Sequence, residues 1–118
     1  MSLATLGAVF AALGIATGAF GAHGLKKRLD AEALGWWSTG ALYHLLHAVG
    51  VVALCGANPD PNLARAATLL LVGICVFSGS LYAMALTGVR KLGAITPIGG
   101  LAFIGGWVLA AIAFAQGA

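Results

Sequence analysis

Charged positions fall at few places along this chain, and between them lie four apolar runs: Leu3 to Gly24, Trp36 to Ala57, Arg65 to Thr87 and Pro97 to Gly117. Each run holds the roughly 20 residues that a helix needs to cross a hydrocarbon layer about 30 Å thick. Ten-residue segments of alternating polarity, the mark of a membrane β-barrel, do not occur. The pattern predicts an all-α integral membrane four-helix bundle, a single four-span domain over residues 1–118. Between the first two runs, Leu25, Leu29 and Ala33 recur at helical spacing, with Lys26, Lys27, Arg28, Asp30 and Glu32 off that stripe. This predicts a short interfacial helix in the first loop. Trp36 and Trp37 follow it, at the headgroup level that amphipathic rings favour. The segment Asn58-Pro59-Asp60-Pro61-Asn62 predicts a tight polar turn. Thr96 and Pro97 read as the N-cap and first residue of the fourth helix.

Composition sharpens the picture. Hydrophobic residues make up 61% of the chain, against only 6 Lys+Arg and 3 Asp+Glu, and the mean hydropathy is +1.02. A soluble fold carries about a quarter of its residues charged, so a soluble enzyme, a disordered chain and a disulfide scaffold are excluded. The net charge of +3 rests on too few residues for a nucleic-acid footprint and fits loops beside an anionic membrane surface. Lys26, Lys27 and Arg28 lie in the first loop and Arg90 and Lys91 in the third, while the second has only Arg65 at its edge. This bias places loops one and three in the cytoplasm, with both termini and the second loop outside. The expected home is the plasma (inner) membrane of a bacterium. The first span lacks a basic leader and is followed by Lys-Lys-Arg, which reads as a retained helix. The five loop bases are candidates for contact with lipid headgroups or a partner, and Gly93 is expected to relax the third loop.

Winding each span at 3.6 residues per turn separates small from large side chains. Gly7, Ala11, Gly14, Gly18 and Ala22 share one face of the first span, and Gly99, Ala102, Gly106, Ala110 and Ala113 one face of the fourth. Such faces let helices approach closely in lipid, with Gly14, Gly18, Gly79 and Gly106 as packing positions. In the second span Trp36, Gly40, Tyr43, His44, His47 and Gly50 share an arc expected to face protein. In the third, Thr68, Cys75, Ser78, Gly79 and Tyr82 form the inward stripe, leaving Leu70, Ile74, Phe77 and Leu81 for lipid. A nine-residue echo between Thr17–Leu25 and Ser78–Leu86 suggests two related hairpins in parallel orientation.

Histidine is the one side chain titrating near neutral pH that lies within a span, and an intramembrane ionisable group is a functional hypothesis by default. His44 and His47, with Tyr43, Ser78, Ser80 and Tyr82, define a polar intramembrane layer. Three readings apply: packing by neutral imidazoles hydrogen-bonded to Ser78, Ser80, Tyr82 or Thr17, proton-linked or small-solute transport, and haem or metal ligation, with packing the leading one. His23, the remaining imidazole, sits on another face of its helix, and no carboxylate lies nearby. Cys55 and Cys75 differ too much in depth to pair and read as core thiols. No catalytic residue, metal site or cofactor is assigned, so a non-enzyme is expected. The partners expected are membrane lipids and a homo-oligomer or larger membrane complex. No nucleic acid is expected, and any small-molecule ligand is left open.

Gly18-Ala-Phe-Gly-Ala-His-Gly-Leu25, Tyr43-His-Leu-Leu-His47, Phe77-Ser-Gly-Ser-Leu-Tyr82 and Leu86-Thr-Gly-Val-Arg-Lys-Leu-Gly-Ala-Ile-Thr-Pro-Ile-Gly-Gly100 resemble the membrane proteins grouped as domain of unknown function 423, a family similar to transmembrane protein 256. The resemblance covers nearly the whole chain. It implies a four-span integral membrane protein and brings no active site with it.

Overall fold

The computed structural model describes residues 1–56 and 59–118, so Ala57, the end of the second expected span, and Asn58, the start of the expected turn, lie outside the described residues. Helix α1 (Leu3–His23) begins behind Ser2, whose Oγ accepts the Thr5 N–H at 3.1 Å. Helix α2 (Ala31–Gly56) begins behind Asp30, whose Oδ1 accepts the Ala33 N–H at 2.8 Å. Helix α3 (Pro61–Gly73) begins behind Asp60, which accepts from Asn62 and Leu63. In all three a short polar side chain supplies the acceptor that the first helical turn lacks. A π-helical turn (Ile74–Ser78) carries α3 without a break into α4 (Gly79–Thr87). Gly88 ends α4 at a φ of 73°, a left-handed conformation that glycine adopts without steric cost. A 3-10 turn (Arg90–Ala94) then leads to α5 (Thr96–Ala115).

By length and composition 4 segments can cross a membrane: Leu3–His23, Ala31–Gly56, Pro61–Thr87 and Arg90–Ala115. Among the described residues there is no strand. The molecule measures 48 × 26 × 21 Å, a length comparable to a bilayer with its headgroups, about 40–45 Å. Large apolar side chains such as Leu13, Ile15, Leu42, Leu46, Val49 and Ile104 point outward, exposed. That is the surface of a protein whose solvent is acyl chain. The chain is an all-helical integral membrane protein.

Several boundaries differ from expectation, for local reasons. The expected interfacial helix is a single turn closed by Arg28 and Leu29 N–H groups on the Leu25 carbonyl, followed at once by α2. Asp30 caps α2 instead of lying within a separate helix, so the second span starts at Ala31. Leu25 and Ala33 from the expected stripe are nevertheless buried, against Trp37 and Ala85. Pro61 and Asn62 belong to the first turn of α3 and not to a loop, because proline's missing N–H is harmless there. Thr96 does not cap α5; its hydroxyl bonds Ser80 Oγ at 2.6 Å. The left-handed glycine of the third loop is Gly88, while Gly93 packs against Met84 Sδ.

The two outer helices dock in the same manner. On α1, Gly7, Gly14 and Gly21 recur at every seventh position and are buried against α2. A Cβ on Gly14 would stand 3.2 Å from Leu45 Cα, one on Gly7 2.8 Å from Val51 Cγ1, and one on Gly21 would enter the Trp37 ring. On α5, Gly99 and Gly106, also seven apart, press on the π turn and α3: a Cβ on Gly106 would stand 2.8 Å from Leu70 Cδ2, and one on Gly99 2.7 Å from Phe77 Cα. A seven-residue repeat keeps one seam facing its neighbour along a left-handed crossing, and the missing side chains let backbones touch. Gly18 is looser than expected, with only Ala41 Cβ at 3.9 Å, and Ala22 is exposed. Gly79 has open space where a Cβ would stand, so it is not the close-approach point expected of it.

The third span follows the expected stripe only in part: Ser78 and Tyr82 turn inward as expected, but other positions are exchanged. Leu70, Ile74 and Leu81 are buried, whereas Thr68 and Cys75 are exposed. Thr68 needs no neighbour because its hydroxyl donates to the Ala64 carbonyl of its own helix at 2.9 Å. With lipid as solvent, leucine loses nothing by facing either way, and the seam is set by shape. Cys75 is thus not a core thiol, and Cys55 is partly buried. The two expected hairpins are not equivalent either: the glycine seam lies on the first helix of one and the second helix of the other.

Candidate functional site

His44 lies on the face of α2 that meets α1 and α4. Its Nδ1 is 2.9 Å from Tyr82 Oη, Tyr82 Oη is 3.0 Å from Thr17 Oγ1, and Thr17 Oγ1 is 3.0 Å from the Gly14 carbonyl. A carbonyl can only accept, so Thr17 donates to Gly14, Tyr82 donates to Thr17 and His44 Nδ1–H donates to Tyr82. This is the one direction that gives all three contacts a proton, and in it Nδ1 carries the hydrogen. His44 Nε2 is sealed from solvent and has no hydrogen-bond partner of good geometry among the described residues; the Phe10 backbone of α1 lies beside the ring. Trp37, not the expected Trp36, turns inward: its Nε1–H donates to the Thr17 carbonyl at 2.7 Å, and its ring lies 4.5 Å from that of Tyr82.

The π turn is held from three sides. Ser78, fully buried, donates from Oγ to the Gly40 carbonyl of α2 at 2.7 Å. Ser80 donates to the Phe77 carbonyl at 2.8 Å and thereby accepts from Thr96 of α5. The Phe77 backbone rests on Gly99. The wider turn displaces the regular ladder of helical bonds, and Ser80 supplies a partner for a carbonyl within it. Ser78 and Ser80 therefore fasten backbone and do not reach either histidine.

His47 faces α5. Its Nδ1–H donates to the Tyr43 carbonyl of its own helix at 2.7 Å. Its ring stacks on Phe103 at a centroid distance of 3.7 Å, with Trp107 at 6.1 Å. Tyr43 is partly exposed to lipid, its ring 4.7 Å from that of Phe77. Tyr43, His47, Phe77, Phe103 and Trp107 line a groove of about 500 Å³ on the lipid-facing side between α2 and α5. The single polar layer expected from the spacing is thus two sites on two faces of one helix.

At the basic end, Lys26, Lys27, Arg28 and Lys91 are exposed. Arg90 pairs with Glu32 and lies 5.3 Å over the Trp36 ring, tying the third loop to the start of α2. His23 is exposed on α1, away from the other imidazoles. Among the described residues no three His, Cys, Asp or Glu side chains gather as a metal site would require.

The family model described as "Protein of unknown function (DUF423)" matches residues 17–100. The chain belongs to the DUF423 family. Among similar proteins, a UPF0382 membrane protein of Staphylococcus epidermidis is 47% identical over 110 residues, covering 92% of this chain and 90% of the relative. The UPF0382 membrane protein YwdK of Bacillus subtilis is 44% identical over 112 residues, covering 92% and 91%. A UPF0382 membrane protein of Haemophilus influenzae is 45% identical over 96 residues, covering 80% and 77%. No solved structure matches.

In this DUF423 chain, Tyr82 and Thr17 are joined to His44 in one chain of bonds, two of the hydroxyls expected as partners of the histidines; sequence reading missed the Thr96 bond to Ser80 and the part played by Phe103 and Trp107. The aromatic pair on α5 carried no signal, because phenylalanine and tryptophan suit lipid and protein equally.

Proposed function

We propose that this DUF423 protein is a small non-catalytic organiser of the bacterial plasma membrane, a structural or assembly subunit that contacts lipids and a further copy or partner complex. Loops one and three face the cytoplasm and both termini lie outside. The basic residues gathered at one end support that orientation. The observation that carries the functional reading is the use made of the interior polar groups: Thr17, Ser78, Ser80, Thr96 and Tyr82 bond one another or a neighbouring backbone. Such groups act as glue between helices.

A second reading, proton-linked or small-solute transport, is favoured by one feature, the sealed and unpartnered His44 Nε2. Proteoliposomes containing a pH-sensitive dye separate the two. The organising role expects the same proton leak with wild type, Tyr82→Phe and empty vesicles. A flux present in wild type and lost in both His44→Ala and Tyr82→Phe assigns a transporter instead. Orientation is read separately by labelling single cysteines introduced at Ala118 and next to Lys26 with an impermeant reagent; labelling at Lys26 in intact cells reverses the topology.

A further inference from the structure

We propose that the groove between α2 and α5 binds the head of a lipid-soluble hydroxyaromatic, a quinol or long-chain phenol, with His47 Nε2 accepting its O–H. The ligand ring would lie against Phe77, Phe103 and Trp107. This goes beyond the organising role and does not depend on it.

The first support is the tautomer of His47. Its Nδ1 faces the Tyr43 carbonyl at 2.7 Å, and a carbonyl can only accept, so Nδ1 carries the proton. In the neutral ring Nε2 is then an acceptor. It has no partner among the described residues and, unlike Nε2 of His44, is not sealed; His47 lines the groove. The residue is 8% exposed, so this acceptor is a buried polar point in a mostly apolar cleft whose other polar side chains are Tyr43 and Trp107. The second support is the lining. Stacked and tilted aromatic rings surround the imidazole, and the π turn carries Phe77 into the cleft. π turns recur at functional positions because they re-aim side chains. The third is size: about 500 Å³ lies within the usual range for small-molecule sites, about 300–1,000 Å³, where a few polar atoms orient a mostly apolar ligand.

Other occupants fit less well. An acyl chain leaves the Nε2 lone pair without a donor, which has a cost in a medium without water. A metal ion finds one imidazole and no second imidazole, thiol or carboxylate among the lining residues, and the Trp107 indole N–H only donates. A quinone offers only acceptors to His47 Nε2 and leaves that lone pair without a donor. The reduced, O–H-bearing form complements both the ring surfaces and Nε2.

The test uses the full chain in micelles with 15N-labelled indoles, titrated anaerobically with a decyl-substituted 1,4-hydroquinone. The Trp107 signal, assigned by its loss in Trp107→Phe, shifts saturably while that of Trp37 stays in place. The dimethyl ether and the oxidised quinone of the same compound bind about tenfold more weakly, as the loss of one hydrogen bond from a desolvated site predicts. His47→Phe abolishes that discrimination. Equal binding of hydroquinone and ether overturns the proposal, and the ether comparison needs no variant. So does a Trp107 signal that ignores ligand or moves only on dilution, the latter pointing to a second copy in the groove. Membrane organisation and proton flux are not read by these signals, so this proposal and the organising role fail independently.

Discussion

His44 and His47 stand one turn apart on α2, both buried at 6% and 8% exposure, and they do opposite things. His44 reaches across to Tyr82 on α4 and through it to Thr17 on α1, so its bond joins three helices. His47 bonds only its own helix and lays its ring on Phe103 of α5. In lipid, where leucine gains nothing by hiding, a polar bond between helices is one of the few forces that distinguish a partner from a solvent molecule. A polar side chain satisfied within its own helix contributes little to assembly and keeps its remaining atom available. The two faces carry their own reporters: Trp37, bonded to the Thr17 carbonyl, and Trp107, beside His47.

The largest effect should come from separating the faces by force. Gly99→Leu places a side chain where the Phe77 backbone stands, so α5 must move. Overpacking of this kind costs on the order of 3 kcal/mol. Denaturant unfolding in micelles should register the loss, with the Trp107 indole signal displaced and Trp37 unmoved. If both signals move together, the two faces are one cooperative unit and the contrast fails. A smaller effect is expected from Tyr82→Phe, which removes the hydroxyl between His44 and Thr17 and leaves a buried Nδ1–H without an acceptor. The expected loss is about 1–2 kcal/mol, read in the same unfolding experiment, now with Trp37 shifted and Trp107 in place.

The contrast also marks how far the sequence could be read. The spans were legible because charges in a bilayer confine themselves to helix ends, and the close glycines of α1 and α5 because small side chains leave a periodic trace: Gly7, Gly14, Gly99 and Gly106 are all at contacts. The inward face of α3 and α4 was legible only in part: Ser78 and Tyr82 turn in as expected, while Thr68 and Cys75 do not. Polarity was a poor guide there, since Thr68 is satisfied by Ala64 and leucine serves either face. The π turn, which sets the phase of everything after Ile74, left no mark in the spacing. His44 and His47 were legible as buried residues but not as separate ones, because a wheel gives direction to about a third of a turn and says nothing of which neighbour stands there. Asp30 was misread for a related reason: a cap and an interfacial helix use the same acidic residue, and only the backbone distinguishes them.

The smallest expected effect is also the sharpest. His47→Phe keeps the ring that stacks on Phe103 and a similar volume, and volume-conserving exchanges cost less than about 1.5 kcal/mol. The Tyr43 carbonyl is not orphaned, because it still accepts the helical N–H four residues on. The loss of a bond within one helix should therefore leave stability within about 0.5 kcal/mol of wild type, at the low end of what one hydrogen bond contributes. His44→Phe, made in parallel, removes the donor to Tyr82 Oη, which keeps its bond to Thr17, and should destabilise by about 1 kcal/mol through the lost bond between helices. The comparison is internal: the same exchange, on the same helix, one turn apart. Should His47→Phe unfold as readily as His44→Phe, the imidazole of His47 is holding α5 in place, and an acceptor occupied in that way is not free to receive a ligand.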